Sequence, residues 1–123
     1  MYQKILTKAE MKRIPPLYSQ EKKGDNAQVV VKFFTPWAGW TWWVLEGNPI
    51  VVRNGEQVEL EKGYAEVKPG EQIVDWRFFG MVHGHEKELG YFVLSELTAI
   101  RGRWGLRIER DMHFNPVAVG SLK

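Results

Sequence analysis

Residues 76–97 read WRFFGMVHGHEKELGYFVLSEL, two apolar runs separated by a short charged segment. Phe78, Phe79, Met81 and Val82 form the first run, and Tyr91, Phe92, Val93 and Leu94 form the second. Both are rich in aromatic and β-branched side chains, which suit a pleated surface. Gly84 and Gly90 lie in the connection, so the spacing predicts a β-hairpin with a polar loop. That loop gathers His83, His85, Glu86 and Glu88, a dense group of titratable side chains flanked by apolar strands. Immediately after it, Ser95, Glu96, Arg101 and Gly102 supply a capping hydroxyl, an acid in the first turn, a late cation and a terminating glycine. A short helix is expected there.

Upstream, alternation along residues 40–46 places Trp40, Trp42 and Val44 on one face of a strand and Thr41, Trp43 and Leu45 on the other. Residues 29–35, VVVKFFT, are apolar at nearly every position, the pattern of a strand covered on both faces. Pro36 closes that run, so the two segments form a second hairpin with Trp37 and Gly39 near its tip. Within residues 48–73, Asn54-Gly55 between Ile50-Val51-Val52 and Val58-Glu59-Leu60 is a two-residue turn signal of the I′ type. It predicts an accessory hairpin over 49–60, acidic on its outer side. Near the start, Thr7 and Glu10 have the spacing of a capping box for a helix over 8–13, which Pro15 and Pro16 terminate. Residues 17–28 read as a polar connector.

These readings give an α+β fold class: one domain over 1–123, with a mainly antiparallel, aromatic-rich β-sheet, one or two short helices and an accessory β-hairpin at about 48–73. Phe33, Val44, Phe79 and Phe92 are expected in the core, and Trp37 among the more exposed tryptophans.

Composition bounds the function. A chain of 123 residues that is 44% hydrophobic, with six Trp, six Phe and four Tyr, has enough apolar residues for a core, much of whose burial is expected from flat side chains. There is no cysteine, so disulfides, thiolate metal sites and cysteine nucleophiles are excluded. No uncharged run approaches the roughly 18 residues that span a bilayer, and the first residues lack a basic-then-apolar signal. A cytoplasmic protein with no membrane association is the expectation. The net charge of +2 names no partner, but cations predominate over residues 1–32 and acids over 46–75.

Three constellations can carry function. His83 and His85, two apart on an extended segment, would aim both imidazoles to one side, as strand-borne metal sites do, with Glu88, Glu46 or His113 completing the shell. The alternative is a pair of solvated loop histidines. Glu46 and Glu88 could form a carboxylate pair for acid–base catalysis with His83, or simply make surface ion pairs. Finally, Trp37 and Trp40, together with Arg101, Arg103, Trp104 and Arg107, offer aromatic faces and cations of the kind that bind nucleic acid or a protein partner. Core packing claims some of these tryptophans, and Glu109 and Asp111 dilute the arginine cluster. Arg110, Asp111 and His113 form either part of that cluster or a buried polar network.

Several segments carry a resemblance to a known family: Lys32-Phe33-Phe34-Thr35-Pro36, Trp40-Thr41-Trp42, Glu46-Gly47, Phe78-Phe79-Gly80, Glu88-Leu89-Gly90-Tyr91-Phe92, Ser95-Glu96-Leu97 and Ile108-Glu109-Arg110-Asp111 with His113-Phe114. In this order they closely resemble domain of unknown function 2958, small proteins encoded on plasmids, phages and conjugative elements. The resemblance implies an accessory protein of a mobile element with no established activity. Residues 48–73 are longer than the usual link of that family, which makes this segment particular to the present chain. The function expected is a non-enzymatic binding or regulatory module contacting protein or nucleic acid, without a cofactor. The alternative is a small metal-dependent or acid–base hydrolase built on His83, His85, Glu88 and Glu46.

Overall fold

A computed structural model describes residues 4–123. The first helix, α1 (Lys8–Arg13), begins at the capping box expected: the Thr7 amide donates to Glu10 Oε1 at 3.0 Å and the Glu10 amide to Thr7 Oγ1 at 3.4 Å. The reciprocal bonds satisfy two donors that a helix start leaves without intrahelical partners. Thr7→Ala is expected to lower stability by about 1 kcal/mol, seen as a lower urea midpoint at unchanged slope.

The strands follow as β1 (Gln28–Val29), β2 (Val31–Phe34), β3 (Thr41–Arg53), β4 (Glu56–Glu59), β5 (Ile73–His83), β6 (Lys87–Val93), β7 (Glu109–Arg110) and β8 (Val117–Ala118). The main sheet is antiparallel in the order β6-β5-β3-β2-β7, and β1 pairs with β8 in a second, two-stranded sheet. One edge of β3 takes β2 along its first residues and β4 along its last four, while β5 runs along the other edge. The α+β class and the central hairpin are therefore as expected.

The accessory hairpin is not a separate addition. Its first arm is the continuation of the tryptophan strand, which runs unbroken through Gly47-Asn48-Pro49 as the 13 residues of β3. Pro49 interrupts nothing because its carbonyl, which proline retains, accepts from the Leu60 amide at 2.9 Å. The turn itself is as expected, with Asn54 at φ 53° and Gly55 at φ 78°, both left-handed. Arg53 clamps the hairpin to the following loop through Glu71, with Nε donating to Oε2 at 2.8 Å; that hydrogen bond holds the Glu71 carboxyl down to about 2.

Side chains pack on both faces of the main sheet. Phe33, Trp42, Val44, Trp76, Phe78, Phe92 and Ile108 form the larger core with Leu6, Ile14 and Leu97, and Ala27, Val29, Leu45, Met81 and Val119 form the smaller one on the opposite face. Phe33, Val44 and Phe92 are buried as anticipated, but Phe79 is half-buried and Phe78 takes the central place at 0% exposure. The pair is adjacent, so only one of the two can face the larger core, and the sheet's pairing selects Phe78.

A β-bulge sets the relation of the faces. Val44 pairs with Gly80 but Glu46 pairs with Phe79, so Leu45 is an extra residue in β3. Strict alternation would send Glu46 to the side of Val44. The bulge shifts the phase, so Glu46 joins Phe79 and Tyr91 in one cross-strand row on the smaller-core face.

The second helix, α2 (Leu94–Ala99), starts one turn position before the expected cap. Val93 is the N-cap and makes no side-chain cap bond. Ser95 lies within the first turn, where its amide and hydroxyl donate to Asp75 at 2.9 and 2.7 Å. The carboxylate from β5 thus satisfies the helix start that the local serine does not. Nor does Gly102 terminate the helix in a left-handed conformation; it is extended at φ −95°, and its value is space, since a Cβ there would lie 2.4 Å from the Trp37 ring.

Candidate binding surfaces

Beyond α2 the chain makes a small loop closed by an antiparallel bridge between Arg101 and Arg107 and by the Gly102 amide, which donates to the Leu106 carbonyl at 2.8 Å. At its tip Trp104 (φ 55°) and Gly105 (φ 76°) are both left-handed, and the Leu106 amide donates to the Arg103 carbonyl at 3.1 Å. This is a type I′ turn with tryptophan at a position that favours Asn, Asp or Gly. A left-handed conformation costs a non-glycine residue about 1–2 kcal/mol. The Trp104 ring offsets none of this by burial, being 92% exposed. Arg101, Arg103 and Arg107 are exposed around it, and Arg101 also donates from Nη1 to the Thr98 and Ile100 carbonyls, anchoring the loop to the end of α2.

Residues 63–121 match the family model described as protein of unknown function DUF2958. The matched segment covers 59 of the 123 residues. It holds the central hairpin, α2 and the Trp104 loop, whereas the resembling motifs at residues 32–47 precede it. Comparison with curated proteins and with solved structures gives no match.

The other residues singled out by sequence lie apart from the loop tip. Trp37 is half-buried at the base of the loop, its indole over Gly102, so Trp104 and not Trp37 is the exposed tryptophan. Trp40 stacks on Trp42 at 5.9 Å and lies over Gly84, where a Cβ would come within 2.3 Å of the ring. Arg110 leaves the arginine cluster altogether: it is buried, with Nε 3.2 Å from Glu10 Oε1 and a bond from Nη1 to the Lys4 carbonyl. It belongs to the polar network alternative, with Lys32 facing Asp111 at 3.7 Å and the exposed His113 donating its amide to Asp111 at 2.9 Å.

The two loop histidines, one at the end of β5 and one in the turn that follows, do not share a side. β5 ends at His83, and residues 84–86 form the turn, so alternation does not carry through to His85. His83 stacks on Trp43 at 6.1 Å, while His85 meets Trp40 edge-on at 5.8 Å. Among the described residues no group of three or more His, Cys, Asp or Glu side chains gathers in metal-binding geometry.

Glu46 and Glu88 are separated as well. Glu46 pairs with Phe79 and Glu88 with Val82, three positions along β5, a displacement of about 10 Å at strand spacing. Glu88 is exposed, whereas Glu46 is 4% exposed and accepts from the Tyr18 amide at 2.8 Å and the Gln20 amide at 2.7 Å.

That carboxylate organises a recess beside the smaller core. By accepting two amides of residues 18–20, Glu46 holds Tyr18 at φ 73°, a second aromatic residue in the left-handed region. The Tyr18 hydroxyl then accepts from Tyr91 at 3.2 Å and from Arg77 at 3.4 Å, and Arg77 lies 4.9 Å above the Tyr91 ring. The hydrogen bond to Tyr18 raises the Tyr91 ionisation above its ordinary range. Behind these tyrosines Leu45, Phe79, Leu89 and Val119 line a recess of about 290 Å³. No motif announces it, because Tyr18 sits in the polar connector and Glu46 reaches the recess only through the bulge.

Proposed function

We propose that this chain is a non-enzymatic binding module that contacts single-stranded nucleic acid through the loop at residues 101–107. The observation that carries the reading is Trp104: a large ring held 92% exposed on a strained turn, among Arg101, Arg103 and Arg107. A flat apolar face on a loop that also carries three exposed arginines suits base stacking with phosphate neutralisation. Glu109 and Asp111 keep the local charge modest, so the contact is weak and salt-sensitive. The setting implied by the family resemblance, a cytoplasmic accessory protein of a mobile element, is part of the proposal.

Fluorescence anisotropy with a single-stranded oligonucleotide tests it. Affinity should fall with salt with a slope of about −0.7 per phosphate contact, and Arg101→Ala with Arg103→Ala should flatten that slope. Trp104→Asn is the sharper variant, because asparagine tolerates the left-handed turn better than tryptophan. It should preserve or raise thermal stability while weakening binding by about 1–3 kcal/mol, with little change in salt slope. Absence of binding by the wild-type protein at low salt overturns nucleic acid as the partner and leaves a protein contact at the same loop.

A further inference from the structure

The recess behind Tyr18 and Tyr91 shares no residue with the Trp104 loop, and its chemistry is of a different kind. Its walls are mainly aromatic and aliphatic, with Tyr18, Phe79, Tyr91, Leu45, Leu89 and Val119 around a volume of about 290 Å³, and Gln20 and the exposed Glu21 also line it. Into it faces Glu46, 4% exposed. The two hydrogen bonds to Glu46 come from backbone amides, one on each oxygen, and an ionised carboxyl has lone pairs for about four. Among the described residues no Lys, Arg or His forms an ion pair with it. Lys123, which also lines the recess, is engaged by Asp25 at 2.6 Å, and Arg77 is held over the outer ring of Tyr91. Buried charges are ordinarily matched by an opposite charge, so the site lacks a cation that its own chain does not supply.

We infer that this recess binds an alkylammonium group, with the ammonium at Glu46, Tyr18 and Tyr91 and the carbon chain against Phe79, Leu89 and Val119. Aromatic faces attract ammonium ions, and Arg77 above Tyr91 already uses that attraction at the rim. The volume is at the small end for ligand sites, which fits a short amine or one lysine side chain rather than a larger organic molecule.

Titration of the full chain by NMR, following the Tyr18 and Tyr91 ring resonances, tests this with n-butylammonium, neutral n-butanol and Nα-acetyl-lysine amide. The expected result is saturable binding of butylammonium about tenfold or more tighter than butanol. Binding of the lysine derivative as well assigns the recess to a lysine side chain of a partner, and binding of butylammonium alone assigns it to a free amine. Glu46→Gln, which keeps one acceptor oxygen but removes the charge, should abolish the preference for the amine. Because Glu46 also holds residues 18–20, Leu89→Trp provides a second variant that fills the mouth from exposed β6 and leaves Glu46 intact; it should block binding. Equal affinity for butanol, no binding of butylammonium, or retained binding in Leu89→Trp overturns the inference. Trp104→Asn leaves this titration unchanged, so the outcome is separable from that at the loop.

Discussion

Phe78→Ala is expected to destabilise the protein by about 3–5 kcal/mol, a large share of the total stability of a domain of this size. The ring is 0% exposed and touches aromatic neighbours on three sides, with centroids of Phe33, Trp76 and Phe92 at 6.0, 5.8 and 5.6 Å. Removing it deletes the apolar area and leaves a cavity whose walls belong to three different strands, none able to collapse inward without breaking its own pairing. Phe79→Ala is the control. Its ring is half-buried, packs against Tyr91 at 5.0 Å and lines the recess, so truncation enlarges an existing opening and should cost less than half as much. Urea unfolding of both variants checks this, and equal losses would refute the assignment of the two faces.

Gly80→Ala should be comparably severe for the opposite reason. A Cβ built at residue 80 would sit 1.9 Å from the Trp43 carbonyl oxygen and 3.1 Å from Val44 Cα, both backbone atoms of the neighbouring strand. No rotamer relieves such a clash; β3 and β5 must separate at the bulge, where Glu46 is turned towards the recess. We expect a loss of about 3 kcal/mol, the upper end of ordinary overpacking, with altered amide shifts at residues 43–46. Gly90→Ala, directly across β6, would meet nothing within 4 Å and serves as the comparison. A Gly80→Ala protein with wild-type melting temperature would show that the bulge does not depend on the glycine.

Much of the scaffold was legible from local chemistry. The capping box at Thr7 and Glu10, the Asn54-Gly55 turn and the central hairpin depend on hydrogen bonds and steric limits spanning a few residues, and each stands where its residues indicate. The candidate sites were less legible. The arginines and Trp104 were visible as a cluster, but that Trp104 would be the exposed ring and Trp37 its support depends on Gly102 making room beneath the indole. Alternation predicts a one-sided histidine pair only while the strand continues, and β5 ends at His83.

By itself the sequence determined the α+β class, the antiparallel hairpins and the placing of Trp42 and Val44 on one strand face, because periods of two and compatible turns leave few other arrangements. Only the tertiary structure decided which of Phe78 and Phe79 faces that core, that Pro49 continues a strand, and that Glu46 shares a face with Tyr91 instead of Val44. The reason is that a single extra residue, Leu45, inverts the side-chain positions from Glu46 to Ile50 relative to the partner strand, until a second register shift between Ile50 and Val51 restores the phase. Whether the chain accepts that residue depends on Gly80, more than thirty positions away, leaving room for the Trp43 carbonyl.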